Sequence, residues 1–428
     1  MNKMANFYSS LKLKINVKKT KVMIFNKRGL TLDKTFKFNI NGQKVEVADE
    51  YKYLGLKMRP SGSMQIAVQE LNEKASRAWF GISHVIYKNK RLEVRRALDI
   101  FDSLVTPVAL YGSEFWAPLS ISEKYFKNEN NFLDAWEVFQ CEKLNQKCCR
   151  MILSVHNKTS RLAVLGELAR YPLFIKSIAQ CLNYKLALTS PAAKPQNLLK
   201  NALDEMKIMA ELGNDCWLSR VNKIESLLKI RIPPFYSKTS GKTISMGMQS
   251  KFSTYWLKRI NEFKGKENDP INHNKLRTYS VFKGSFSTEP YLELVRNRNQ
   301  RALLTRLRVG SHNLAIELGR RTRPPTPVDQ RVCTYCTSSP TSAGCTPPTP
   351  PVDTEFHFLV KCERFSIKRN WLFGEISSLN PKFSSLSDEQ KFNSLLCPIL
   401  AQSAKLVNRF IESMFNERKK IDNGESNI

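Results

Sequence analysis

Apolar and polar residues alternate with period two near the start of the chain and shift to a helical period after about residue 63. Lys21 to Phe25 reads KVMIF, Phe36 to Val47 reads FKFNINGQKVEV, and Tyr51 to Met58 reads YKYLGLKM. The Asn41-Gly42 pair between alternating runs is a strong short-range hairpin signal. Residues 1–60 are therefore expected to form a helix-like start and a small antiparallel sheet, with Leu54, Leu56 and Met58 alternating inward on a strand. From Ser63 to about residue 235 the pattern is helical. Ala67, Leu71, Ala75, Ala78 and Ile82 recur every three or four residues, Phe132, Trp136, Phe139, Leu144, Cys148 and Met151 do so less regularly, and Pro107, Pro118, Pro172 and Pro191 mark breaks. Residues 236–275 are polar and poorly periodic, so a linker or irregular connection is expected there. A helix is then predicted within STEPYLELVRNRNQRALLTRLRV, with Ser287 or Thr288 as N-cap and Pro290 in the first turn. On its wheel Arg298, Arg301 and Arg308 share one side, opposite Tyr291, Val295, Ala302, Leu303 and Leu307; such a face either follows a phosphate backbone or is merely solvated. Leu406, Val407, Phe410, Ile411, Met414 and Phe415 form the apolar stripe of a core-facing C-terminal helix to which the pattern assigns no function. The class is α+β, a small sheet followed by a mainly helical remainder.

Composition is ordinary for a globular chain of 428 residues, with 42% hydrophobic and 25% charged residues, and the length suits two to four domains. The charge balance changes the picture. Sixty-eight Lys and Arg face 38 Asp and Glu, a net charge of +30, and residues 1–28 hold eight basic groups and no acid. Such an excess attracts polyanions, so nucleic acid is the first partner expected and an anionic membrane surface the second; lysines that only aid solubility are the plain reading. No apolar run reaches the ~18 residues of a membrane span, no signal-peptide core opens the chain, and the ten cysteines are scattered like reduced thiols. An intracellular protein with no membrane partner is expected.

One cysteine cluster carries chemistry. Cys333 and Cys336 form C-x2-C, and His357 and Cys362 form H-x4-C, which together supply the three thiolates and one imidazole of a closed, structural Zn2+ site. The 20-residue gap between the pairs is long for a knuckle. Eight prolines between Pro324 and Pro351 make it a looped-out insertion, and closing a longer loop costs only logarithmically more. Cys345 within it is a possible competing ligand. His84, His156, His273 and His312 are read as structural, and Cys141, Cys148, Cys149, Cys181, Cys216 and Cys397 as buried. No phosphate-binding glycine loop, nucleophile elbow, HExxH or compact carboxylate pair appears.

The order LKINVKKTKVMIF, YKYLGLKM, LYGSEFW, KLRTY, RNQRALLTRLRVGSHNLAIELGR and finally C-x2-C with DTEFHFLVKC resembles the C-terminal half of a LINE-type (non-LTR) retrotransposon reverse transcriptase, over nearly the whole chain. The resemblance implies a palm remnant at 1–60, a thumb-like helical domain at 63–155, a helical connection at 156–323, a Pro-rich loop with a CCHC knuckle at 324–375 and C-terminal helices at 376–428. Asn16, Lys19 and Thr20 match an N-x-x-K-T signature whose lysine assists the pyrophosphate leaving group. Tyr53, Leu54 and Gly55 match a hairpin that grips the primer 3′ end, where glycine permits close backbone approach. Lys74, Arg77, Lys88, Lys90, Arg91, Arg95 and Arg96 would be thumb residues touching phosphates, with Arg298, Arg301 and Arg308 further along. Cys333, Cys336, His357 and Cys362 would be the family's terminal knuckle, here with a longer gap. RNA and DNA as template and primer, and nuclear residence, follow from the same resemblance.

In the family a Tyr/Phe-x-Asp-Asp strand precedes the stretch like LKINVKKTK, and three carboxylates hold two Mg2+ ions. Residues 1–11, MNKMANFYSSL, contain none of them, so this chain alone is not expected to polymerise DNA. Three readings follow: a template–primer-binding fragment of an RNA-directed DNA polymerase, a zinc-stabilised RNA- or DNA-binding protein without enzymatic partner, or a non-functional remnant of an element.

Overall fold

The computed structural model describes residues 2–25, 37–190, 197–264, 275–336 and 350–424. Pro191, His273 and Cys345 lie outside these residues. Two compact units emerge, and they interleave along the chain instead of following one another: Met1–Ala78, Val105–Glu142 and Leu173–Met248 form the first, and Trp79–Leu104, Lys143–Pro172 and Gln249–Ile428 the second. Helices dominate both, beside a few short strands in the first, which agrees with an α+β class in outline.

In the first unit the alternating run folds as expected around Asn41-Gly42. Strands β1 (Lys21–Val22), β2 (Phe38–Ile40) and β3 (Gln43–Val47) form one sheet, with β2 antiparallel to β3 through Ile40↔Gln43. Asn41 and Gly42 take φ of 49° and 78°, the left-handed pair that a two-residue hairpin requires. The sheet is not wholly antiparallel, because β1 joins β3 in parallel through Lys21↔Glu46. Ala5, Ile40 and Val45 form its buried centre with Ile15, Val17, Val22 and Phe38 packed around them. A separate hairpin pairs β4 (Tyr51–Tyr53) with β5 (Leu56–Met58). Leu54 is a turn residue there, at φ 45° and 73% exposed, so it does not alternate inward with Leu56 and Met58. The turn at Leu54-Gly55 displaces it, and the Tyr111 hydroxyl fixes that turn by donating to the Leu54 carbonyl at 2.9 Å. Around the helices Ser113–Ser120 and Leu173–Thr189, Trp116 stacks on Phe139 at 5.7 Å, and Phe139 meets Phe174 edge-on at 5.5 Å. Pro118 lies inside the Ser113–Ser120 helix and does not end it.

Gln65–Lys88 is the long helix predicted from Ala67, Leu71 and Ala75, which are buried. The expected linker at 236–275 is instead largely a helix, Ser240–Asn261. Its buried residues Ile244, Met248, Phe252, Tyr255, Trp256 and Ile260 fall at i, i+4, i+8, i+11, i+12 and i+16, one face of a helix. Gly, Ser and Lys between them dilute the average hydrophobicity without disturbing the period.

In the second unit the predicted arginine helix is broken in two. Tyr291–Leu294 is a single turn, and a new helix, Arg298–Arg308, starts at Asn297, whose side chain accepts from the N–H groups of Asn299 and Gln300. Neither Ser287 nor Thr288 caps it. The C-terminal helix Ala401–Asp422 packs against it, with Leu406, Val407, Phe410, Ile411 and Met414 buried and the Asn408 side chain accepting from Leu304 N–H at 3.1 Å. Among the described residues no helix is long and apolar enough to cross a membrane.

Candidate metal centre

Cys333, Cys336, His357 and Cys362 converge, with their ligand atoms all within 4.8 Å of one another. Cys333 Sγ lies 4.0 Å from Cys362 Sγ, Cys336 Sγ lies 3.6 Å from Cys362 Sγ, and His357 Nε2 lies 3.4 Å from Cys336 Sγ. Four ligands at zinc distances of about 2.0–2.3 Å put the corners of a tetrahedron roughly 3.4–3.8 Å apart. The separations of 3.4, 3.6 and 4.0 Å lie near those edges, and four protein ligands would fill all four positions, as in a structural site. Cys333 and Cys362 are fully buried and His357 is 6% exposed. Among the described residues no other group of three or more His, Cys, Asp or Glu side chains is so placed.

Local backbone explains how two pairs so far apart meet. Val332 and Val352 form an antiparallel bridge, with Cys333 N–H donating to the Pro351 carbonyl and Asp353 N–H donating to the Arg331 carbonyl, both at 2.8 Å. Chain entering and leaving the proline-rich insertion is thereby held side by side. On the other half, residues five apart on an α-helix point about 140° away from each other. His357–Lys361 is instead a π-helical turn, in which Cys362 N–H donates to the His357 carbonyl at 2.7 Å, so the thiol comes round onto the imidazole's side.

Charges surround the cluster in a way that suits three thiolates. The hydrogen bond with Cys362 holds the Cys333 thiol down at about 3, helped by His357 and the Arg418 guanidinium against the opposing effect of burial. Cys336 is pushed up, by burial first, and Cys362 is pushed up chiefly by sharing its proton with Cys333. Three sulfurs this close ionise together only around a cation, and Zn2+ with three thiolates and one neutral imidazole leaves a net charge of about −1. Arg418 Nη2 sits 3.8 Å from Cys333 Sγ, and Arg369 donates to the Cys362 carbonyl at 2.6 Å, so that residual charge is met by cations.

Sequence reasoning missed the outer ring. Arg418 makes a two-pronged pair with Asp353 at 2.9 and 2.8 Å, and its guanidinium lies over Tyr335, Phe358 and Phe365 at 4.4, 4.7 and 5.7 Å. Tyr335 in turn donates to Asp422 at 2.9 Å. The signal was present: Arg418 stands four residues after Met414, a lone cation on the apolar stripe of the C-terminal helix.

The other expected binding residues divide sharply. Arg298, Arg301 and Arg308 are 6, 2 and 1% exposed, so the phosphate-tracking face predicted for them does not exist. Arg308 donates to both oxygens of Glu167 at 2.6 and 3.2 Å and pairs with Glu289 at 2.6 Å, while Tyr291 donates to the same Glu167 at 2.6 Å. Arg301 donates to the carbonyls of Val295 and Arg296, and Arg298 to those of Ile86 and Tyr87. These contacts replace water for three buried cations, and the solvent face of the helix is elsewhere, at Arg306. By contrast Arg77, Lys88, Lys90, Arg91, Arg95 and Arg96 are exposed, with no carboxylate partner among the described residues. Lys74 is half-buried and pairs with Glu70 at 2.9 Å. At the N-terminus Asn16 closes one turn, accepting from Lys19 N–H at 3.2 Å and from Thr20 N–H at its own carbonyl at 3.0 Å, and this presents Lys19 to solvent. Tyr53 and Leu54 are 56 and 73% exposed at the hairpin tip, beside Gly55 at φ 89°.

Of the remaining histidines, His312 is structural, bonded through Nε2 to buried Glu355 at 2.7 Å, while His84 and His156 are exposed. Cys397 is half-buried, not fully so, beside Arg308. No protein-family model, curated protein or solved structure matches the chain.

Proposed function

We propose that this chain is a zinc-stabilised, nucleic-acid-binding segment of a reverse transcriptase of the non-LTR retrotransposon type, holding its primer-gripping hairpin, thumb-like helices and terminal knuckle. The convergence of Cys333, Cys336, His357 and Cys362 carries the reading, since it supports a knuckle despite the long gap between the two halves of the motif. Zn2+ bound there supplies a cross-link, tying the turn after Val332 to the π-helical turn and, through Arg418, to the C-terminal helix. The net charge of +30 and the exposed Lys88, Lys90, Arg91, Arg95 and Arg96 supply sequence-independent phosphate contacts. The exposed Tyr53-Leu54-Gly55 tip, fixed by Tyr111, and the solvent-facing Lys19 fit a surface that meets a primer end. The reading assigns binding to these residues; nucleotide transfer in such enzymes rests on carboxylate-held Mg2+. Template and primer, as RNA and DNA, are the partners, with nuclear residence as such an element requires.

Fluorescence anisotropy of a labelled RNA–DNA hybrid titrated at several salt concentrations tests it. The expected result is a log–log slope of several released counterions and binding that heparin displaces poorly. Equal displacement by heparin, or no slope, contradicts the reading.

A further inference from the structure

A cleft of ≈ 680 Å³ opens in the second unit between residues 150–156, the Arg298–Arg308 helix and the end of the C-terminal helix. Its lining contains no carboxylate, yet it contains the cations Arg150, Arg306, Arg321 and Lys419. A smaller hollow of ≈ 420 Å³ shares His156, Ser311 and Arg321 with it and adds Lys158, Lys275, Arg320 and Arg323, again without an acid in its lining. Arg306, Arg321, Lys158, Arg323 and Lys419 are exposed and have no carboxylate partner among the described residues. Like charges gathered this way repel one another, and an anion relieves that repulsion.

The floor is not purely cationic. Tyr87 and Phe415 contribute aromatic surface, and Tyr87 is 62% exposed with the Arg298 guanidinium stacked 4.8 Å from its ring centre. Arg298, which lines the same cleft, is therefore a positioning residue that covers one face of the ring and leaves the other for a base. Cations beside an open aromatic face are the combination on which single strands lie, phosphates on the charges and a base on the ring. A space of this size suits a ligand of drug-like volume, about one or two nucleotides.

We propose that this cleft binds a short single-stranded stretch of nucleic acid, with phosphates on Arg306, Arg321 and Lys419 and a base stacked on Tyr87. The proposal rests on the nucleic-acid-binding reading above and adds a site for an unpaired strand. It also couples that site to the metal. The C-terminal helix places Lys419 and Phe415 in the cleft, while adjacent Arg418 holds Asp353 and approaches Cys333, and Phe415 packs on Phe358 at 4.9 Å.

The test uses anisotropy of a short labelled oligouridine with three proteins of matched zinc content and melting behaviour: the full chain, its Arg306→Gln/Arg321→Gln/Lys419→Gln variant, and a Lys200→Gln/Lys207→Gln/Lys238→Gln control that removes three exposed charges from the first unit. The cleft variant is expected to bind at least about tenfold more weakly, with a log–log salt slope shallower by about 2, while the control stays within about threefold. Tyr87→Ala is expected to lose about tenfold with an unchanged slope. Lys419→Gln alone, at an exposed side chain, gives the same direction should the triple variant unfold. Equal losses in cleft variant and control overturn the cleft while leaving nucleic-acid binding intact. Competition by inorganic tripolyphosphate as strong per phosphate as by the oligonucleotide overturns a strand in favour of a small polyphosphate. No binding by the unmodified chain sinks both this site and the reading beneath it.

Discussion

Two groups of basic residues in the second unit look alike in sequence and differ completely in the fold. Lys88, Lys90, Arg91, Arg95 and Arg96 crowd the turn between the helices Gln65–Lys88 and Val94–Leu104, all exposed. Arg298, Arg301 and Arg308 repeat along a helix and are all buried. The second group is held by internal acceptors: Glu167 and Glu289 for Arg308, the distant carbonyls of Ile86 and Tyr87 for Arg298, and the nearby carbonyls of Val295 and Arg296 for Arg301. A cation with an internal partner of this kind is part of the core, and removing it leaves the partner charged and dry. A cation without one is free to meet an external anion. The number of arginines in register does not distinguish the cases; the internal acceptors they face, carboxylate or carbonyl, do.

The sharpest way to separate fold from binding is to remove the metal. Chelation, or Cys362→Ser, is expected to produce the largest effect: loss of cooperative melting around the knuckle and the C-terminal helix, read by circular dichroism, because ligand binding and local folding are one process at such sites. Next, Arg308→Ala is expected to destabilise the chain by about 3–5 kcal/mol, with Glu167 left uncompensated; urea denaturation reads this, and the affinity of the folded protein for nucleic acid should not change. Arg418→Ala should follow, with a loss of about 3 kcal/mol from the broken Asp353 pair and faster zinc release to a chromogenic chelator. Arg91→Gln/Arg95→Gln/Arg96→Gln is the converse of Arg308→Ala. Its stability should stay within about 0.5 kcal/mol, while the salt slope for a labelled duplex falls by about 2–3. If that triple variant unfolds, or Arg308→Ala spares stability and lowers affinity, the division between the groups collapses. The smallest effect belongs to the hairpin tip: Leu54→Gly should stabilise by up to about 1 kcal/mol, since glycine takes φ 45° without strain.

What the sequence showed and hid follows the same logic of partners. The Asn41-Gly42 hairpin, the Ala67–Leu71–Ala75 face and the C-terminal stripe were legible because each depends on local period or turn chemistry. The cluster of three cysteines and a histidine was legible because thiols and an imidazole at chelating intervals have little other use. The Ser240–Asn261 helix was missed because its apolar residues are spaced among Gly, Ser and Lys, and average polarity concealed an intact period. Burial of Arg298 and Arg308 was hidden because it depends on Glu167, Glu289 and the carbonyls of Ile86 and Tyr87, groups that only the tertiary fold brings together, and that of Arg301 because it depends on the break at Val295 and Arg296 that frees their carbonyls. The π-helical turn that aligns Cys362 with His357 left no mark in composition at all.

Zinc content of the purified chain tests the central claim most directly. Quantified by a chromogenic chelator after thiol modification, it should approach one ion per chain and fall to near zero in Cys362→Ser, and Co2+ replacement should give the absorption of a tetrahedral thiolate site. A ratio near zero in the unmodified chain, prepared without chelators, would contradict the zinc-stabilised knuckle and the account built on it.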